Sequence, residues 1–175
     1  MENHQYPIGK FNFIGKVSAE QRELWIKEIA EAPLRLRVAV EGLSDNQLDT
    51  PYRTEGWTIR QVVHHIADSH MNSYIRFKLA LTEDLPTIKP YEEAKWAELS
   101  DSLTLPVTIS LQLIDALHLR WVNILRNTSV EAFDRSFVHP ESGETSLARN
   151  LGNYAWHGNH HIAHITSLRD RMNWQ

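Results

Sequence analysis

The spacing of apolar residues is the feature that most limits how this chain can fold. Ile59, Val62, Val63 and Ile66 recur at intervals of three and four residues, the spacing that places side chains on one face of an α-helix. The same periodicity predicts long helices over 58–81, 107–126 and 146–172, and a first one that begins at the Ser-x-x-Gln motif of 18–21. Four long amphipathic helices with modest connections indicate an all-α four-helix bundle.

Shorter features are predicted between and before these helices. Pro33 should kink the first helix or divide it. Residues 48–57 read as a loop, and 91–99 as a short, solvated helix. Proline and glycine within 136–146 predict a small hairpin or loop before the last helix. Residues 1–17 are expected to form an extended N-terminal arm.

Composition limits the class of protein. The 175 residues carry no repeat or linker, so we expect a single domain over 1–175. A net charge of -4 without a Lys/Arg stripe argues against a nucleic-acid partner. No apolar run is long enough to span a membrane or act as a signal peptide, so a cytoplasmic location is expected. Because the chain has no cysteine, any metal would be held by His, Asp or Glu.

Histidines are concentrated in two short stretches about ninety residues apart. These stretches hold His64, His65 and His70, and then His157, His160, His161 and His164. On a helix, His157 with His161, and His160 with His164, are i, i+4 pairs whose rings can reach one ion. The spacing alone does not choose between the two pairs. Gly158 stands where the zinc-protease motif carries Glu, so a protease of that type is not indicated.

The flanking residues indicate that the histidines face inward. His65 lies beside the apolar stripe of its helix, with Asp68 three residues further on. His64 should point away from that side, and His70 should be a hydrogen-bonded core residue. A solvated, histidine-rich face is the alternative, but Leu151 and other apolar residues run close beside the later histidines. A polar pocket inside the bundle is therefore favoured.

The segments 56–83 and 153–172, with "YPIGKF" and "LDTPYR", resemble the DinB-like superfamily over nearly the whole chain. The resemblance is greatest to its YfiT-type branch of proposed metal-dependent hydrolases, to which bacillithiol transferases are related. It implies one divalent metal, zinc or nickel, bound by three histidines in each subunit of a homodimer. The family's first ligand follows a Trp by eight positions, which here selects His65 after Trp57. The i, i+4 pair of the family falls on His157 and His161.

Three further residues are candidates for positioning the ligands or moving protons: Asp68, His160 and His164. His164 stands where many relatives carry Gln, which leaves open whether it reaches the metal or the substrate. No carboxylate is placed by spacing as an evident general base.

Two enzyme functions and one binding function follow from such a centre. The metal could activate water, giving a hydrolase of a small-molecule substrate. It could instead activate a thiol, which must then arrive on a low-molecular-weight cosubstrate because the chain has no cysteine. The third possibility is a non-catalytic metal- or ligand-binding protein of the stress response.

Overall fold

The computed structural model describes residues 4–174, in which seven α-helices and one two-stranded sheet are found. The long helices are α1 (Ala19–Val40), α3 (Ile59–Thr82), α6 (Val107–Asn127) and α7 (Leu147–Met172). The short elements are α2 (Asp45–Leu48), α4 (Glu93–Trp96), α5 (Ser100–Thr104), a 3₁₀ turn (Glu131–Asp134), β1 (Ser136–His139) and β2 (Gly143–Ser146). The predicted four-helix bundle is confirmed. Residues 1–3 of the predicted arm lie outside the described range.

Packing among the long helices places a polar layer inside the bundle. Helix α1 packs against α6 and α7, and α3 packs against the same two helices. The apolar core divides into two clusters, one around Trp121 and Leu151 and the other around Val62 and Ile165. On α7, Ala155 is the last buried residue of the first cluster, and Ile165 is the first buried residue of the second cluster. The α7 histidines therefore lie between two apolar layers.

Capping residues set the starts of the helices. The Thr58 hydroxyl accepts from the Gln61 amide at 3.2 Å, and the Gln61 side chain accepts from the Thr58 amide at 3.0 Å. This reciprocal pair is a capping box, and it fixes the first residue of α3. At α1, Ser18 Oγ accepts from the Gln21 amide at 3.1 Å. A further capping box at Ser44 begins the short helix α2, which the sequence analysis did not predict.

Helix α1 continues through Pro33, so of the two predicted effects of this proline, a kink or a division, the division is wrong. Proline has no N–H, and the carbonyl of Ile29, four residues earlier, therefore loses its usual helical donor. The Nδ1–H of His118 on α6 donates to that oxygen at 2.7 Å. The missing bond is thus replaced from a neighbouring helix, and the helix does not end.

The connection before α7 is the predicted hairpin. Strands β1 and β2 pair antiparallel, with Ser136 opposite Ser146 and His139 opposite Gly143. The short helix predicted over 91–99 is present as α4, a single turn, and α5 follows it at once. Within residues 4–174, none of the helices combines the length and the apolar character that a bilayer crossing requires.

The N-terminal segment from residue 4 to residue 17 contains neither helix nor strand and lies along α7. Side chains of α7 donate to its backbone oxygens: Arg149 to Phe13 at 2.9 Å, Trp156 to Gly9 at 3.1 Å and His164 to Gln5 at 3.2 Å. Acceptors earlier in the arm pair with donors later in α7, so the arm runs antiparallel to the helix. Its first described residues are brought to the histidine-rich part of α7.

Replacing Gly152 with alanine should destabilise the fold. A Cβ at this position would lie 2.7 Å from the ring of Trp25, which is buried between α7 and the arm residues Phe11 and Phe13. Overpacking costs about 1–3 kcal/mol, whereas the gain in helix propensity is about 1 kcal/mol. We expect a net loss of about 1 kcal/mol in the free energy of unfolding, measured in urea.

Gly158→Ala is the matched control on the same helix. Its Cβ would meet His70 Cε1 at 3.5 Å, an ordinary contact distance. This variant should be as stable as the parent protein or more stable. A Gly152→Ala protein more stable than the parent would contradict the packing described for Trp25.

Candidate metal centre

Three histidines from two helices meet inside the bundle. His65 comes from α3, and His157 and His161 lie one turn apart on α7. One ligand atom of each lies within 4.8 Å of those of the other two. The Nε2 atoms of His65 and His157, 92 positions apart in sequence, are 3.3 Å apart. The structure therefore brings together the three residues that the sequence analysis selected, here called the histidine triad.

The geometry of the triad fits a divalent ion. Two imidazole nitrogens bound at about 2.0–2.1 Å to a tetrahedral ion lie roughly 3.3 Å apart, which matches the separation between His65 and His157. The Nδ1 atom of His161 is buried and has no hydrogen-bond partner within residues 4–174. Three imidazoles are a donor set suited to zinc, nickel, cobalt or iron. The residues present can thus hold such an ion.

Burial keeps the triad in the neutral form that a ligand requires. Desolvation, followed by the charge of His164, lowers the pKa of His65 to about 4. Desolvation and the neighbouring imidazoles lower the pKa values of His157 and His161 well below their ordinary value. At neutral pH all three rings are uncharged, so each keeps one nitrogen without a hydrogen that can bind an ion.

Trp57 sets the surroundings of His65. Its ring packs against the His65 ring at a centroid distance of 4.7 Å. Trp57 lies directly before Thr58, the N-cap of α3, and the capping box there fixes the start of the helix. Two helical turns separate this start from His65, which gives the eight-residue spacing between the tryptophan and the histidine a structural reason.

Two cavities reach the triad. The first has a volume of about 400 Å³ and includes all three triad residues in its wall. The second, of about 620 Å³, is bordered by Ser69, Arg76 and Tyr91 and also reaches His157. Glu93 borders both cavities. Reactants can therefore approach the triad from two adjoining spaces.

His160 and His164 form part of the wall of the first cavity and are not among the grouped ligand atoms. The ring of His160 stacks on Trp156 at 4.5 Å, and the ring of His164 stacks on Tyr52 at 4.0 Å. Burial lowers the pKa of each to about 4. The second i, i+4 pair thus faces the arm and the 49–58 connection. Its role in positioning or proton transfer stays a prediction.

Asp68, the carboxylate that the sequence analysis named as a candidate, is half-buried. Burial, then the charge of Asp101, raises the pKa of Asp68 to about 6. The Asp68 carboxylate makes no hydrogen bond within the described chain to any triad residue, and its positioning role stays a prediction. The carboxylate that borders both cavities is Glu93 of α4, within the range predicted from the sequence to be a solvated helix. No spacing in the sequence links Glu93 to the histidines.

The remaining buried histidines have identifiable partners. His64 contacts Ser110 Oγ at 2.7 Å and the Leu105 carbonyl at 3.1 Å, away from the triad as predicted. His70 is the predicted hydrogen-bonded core residue, with Nδ1 2.9 Å from His118 Nε2 and Nε2 3.2 Å from His157 Nδ1. His118, a lone histidine on the amphipathic helix α6, could not be predicted as a partner of His70 from the sequence.

The metal-free protein should lose stability on mild acidification. In the folded state the pKa values of His65 and His118 are lowered from 6.5 to about 4. Between these values the unfolded chain binds more protons, so the free energy of unfolding falls as pH falls. Each group contributes roughly 3 kcal/mol over that window. The pKa of Asp68 is raised in the folded state, so this residue changes the free energy of unfolding in the opposite direction. It is a single group and offsets only part of the loss.

Urea midpoints of the metal-free protein should therefore be nearly constant above pH 7 and fall steeply from pH 6.5 to pH 4. A His65→Phe variant should show a shallower fall, because one buried imidazole is removed. Midpoints that stay constant or rise on acidification would show that these histidines are not buried in the neutral form.

Similarity to known proteins agrees with this geometry. The model of the DinB superfamily matches residues 19–165. Proteins of Bacillus mycoides (strain KBAB4) and Bacillus cereus (strain B4264), each named "Putative metal-dependent hydrolase", are 59% identical over 174 residues, which is 99% of this chain and 100% of theirs.

One solved structure gives the same assignment, and a second shares the fold. YfiT from Bacillus subtilis, described as a probable metal-dependent hydrolase with an unusual four-helix bundle topology, is 52% identical with a TM-score of 0.97, over 99% of both chains. TT2238, a four-helix bundle protein, is 18% identical with a TM-score of 0.55, over 81% of this chain and 94% of its own, a likeness of fold alone. This chain belongs to the DinB superfamily.

Proposed function

We propose that this protein is a metal-dependent hydrolase of a small-molecule substrate, with His65, His157 and His161 holding one zinc or nickel ion. The convergence of three neutral imidazoles at the wall of a cavity is the observation that carries this proposal. The names of its relatives support metal dependence and hydrolysis. Three protein ligands also leave a coordination position open, as catalytic sites require.

The side chains around the triad have separate tasks in this proposal. A divalent ion held by the triad would lower the pKa of a water or thiol bound beside the three imidazoles. Trp57 and Tyr52 provide apolar walls that fix the rings of His65 and His164. Glu93 is an exposed carboxylate at both cavities and can accept a proton from the attacking nucleophile or return it to the leaving group.

Thiol transfer is the second candidate, and the pair of adjoining cavities favours it. Two reactants must meet at one centre in this reaction, and His157 and Glu93 border both spaces. Arg76 at the second cavity offers a cation to an anionic low-molecular-weight thiol such as bacillithiol, whereas Lys95 there is paired with Glu92. The thiolate sulfur would form a bond to an electrophilic carbon as the leaving group departs, and the thiol proton would pass to Glu93.

Three further expectations belong to the same proposal: a homodimer with one metal per subunit, a cytoplasmic location, and action without nucleic-acid or membrane partners. A non-catalytic metal- or ligand-binding role in stress response is the remaining alternative. It predicts that the metal binds while no substrate is turned over.

A turnover screen of the zinc and nickel forms tests these functions. We expect ester or amide hydrolysis without added thiol, because the open position is then available to water. His161→Ala should reduce the rate to background, whereas His64→Gln, next to a ligand but bonded to Ser110 and Leu105, should leave the rate unchanged.

Activity only with a thiol and an electrophile together would select the transferase. Metal binding without turnover of either kind would select the binding protein. Full hydrolytic activity in metal-free protein would contradict every form of the proposal.

A further inference from the structure

A chain of hydrogen bonds runs from the backbone of α1 to the triad through two histidines outside it. His118 Nδ1 lies 2.7 Å from the Ile29 carbonyl oxygen. His118 Nε2 lies 2.9 Å from His70 Nδ1, and His70 Nε2 lies 3.2 Å from His157 Nδ1. The four residues come from α1, α6, α3 and α7, so every long helix contributes one member. We call this chain the histidine relay.

The relay is anchored on a backbone group that a proline makes available. The Ile29 carbonyl would normally accept from the amide of residue 33, but Pro33 has no N–H. His118 is 2% exposed and His70 0% exposed, so water does not compete for these contacts. The first acceptor of the relay is therefore fixed by helix backbone and does not depend on a rotating side chain.

The anchor determines where every hydrogen of the relay lies. A carbonyl oxygen only accepts, so His118 Nδ1 carries a hydrogen. A neutral imidazole carries one hydrogen, so His118 Nε2 is an acceptor and His70 Nδ1 must be the donor to it. By the same step His70 Nε2 accepts from His157 Nδ1. His157 Nε2 is left without a hydrogen and can only accept or coordinate, and this atom lies 3.3 Å from His65 Nε2 and 3.5 Å from Ser69 Oγ.

We propose that His70 and His118 are positioning residues that hold His157 in the one tautomer and ring orientation able to bind the metal through Nε2. This inference rests on the metal site proposed above. Metal-binding histidines generally donate their second N–H to an outer partner, commonly a carboxylate or a carbonyl. Here the outer partner is an imidazole, and the carbonyl that fixes the proton positions lies two side chains away.

Replacing His118 should change the positions of the hydrogens on His70 and His157. Without an imidazole at 118, the Nδ1–H of His70 loses its acceptor. His70 can then carry its hydrogen on Nε2 and donate to His157 Nδ1. That arrangement moves the hydrogen of His157 onto Nε2, the atom meant for the metal. A change at residue 118, which lies outside the triad, should therefore weaken metal binding at His157.

The tautomers can be measured directly in the metal-free protein. Long-range ¹H–¹⁵N NMR spectra of the imidazoles should show His70, His118 and His157 with the hydrogen on Nδ1 and a bare Nε2 at pH 7.5. In His118→Phe, which keeps a ring but neither nitrogen, the hydrogen of His157 should appear on Nε2 in a substantial fraction of molecules. Wild-type protein with the hydrogen of His157 on Nε2 would overturn the proposal.

Metal affinity provides the second readout. Competition with a chelator should show that His118→Phe binds zinc and nickel about 10- to 100-fold more weakly than the parent. His118→Gln should restore most of the affinity, because one amide supplies both a donor and an acceptor. His64→Gln, a change at another buried histidine with partners of its own, should bind metal as the parent does.

The outcomes distinguish a failure of the histidine relay from a failure of the proposed function. Folded His118→Phe with parental affinity for both metals would overturn the relay. If that variant does not fold, the wild-type tautomers and the His118→Gln affinity decide the question. Wild-type protein that binds neither metal would defeat the proposed function, and the tautomers of the metal-free protein would still test the relay.

Discussion

The burial of neutral imidazoles between two apolar layers is the constraint on which this structure depends. Burying a polar group is costly unless it is hydrogen-bonded or coordinated. His70 and His118 meet that requirement through one another and the Ile29 carbonyl. His161 has a buried Nδ1 without a partner in residues 4–174. The fold therefore carries a polar interior that is only partly satisfied by protein groups, which is the condition expected of a binding site.

Local features of the sequence act together to build this interior. The capping box at Thr58 fixes the start of α3 and so the depth of His65 beneath Trp57. The i, i+4 spacing of α7 places two rings toward the same space. Pro33 frees the backbone oxygen that holds His118 without interrupting α1. Each is a short-range property of the chain, and the bundle brings their effects to one place.

Much of the fold was predictable because periodicity and capping are local. The bounds of α3, α6 and α7 agree with the predicted ranges within a residue or so at each end. Spacing could not choose between the two i, i+4 pairs of α7, and the family resemblance was needed to select His157 and His161. Glu93 and His118 could not be placed, because their relation to the triad exists only once distant segments pack together.

The most direct test of the central claim is X-ray absorption spectroscopy of protein loaded with one equivalent of nickel or zinc. We predict three imidazole nitrogens at about 2.0–2.1 Å and at least one further light-atom ligand from solvent. His65→Ala should lose one imidazole contribution and bind the ion far more weakly. A spectrum dominated by carboxylate oxygens, or one unchanged in His65→Ala, would contradict the account.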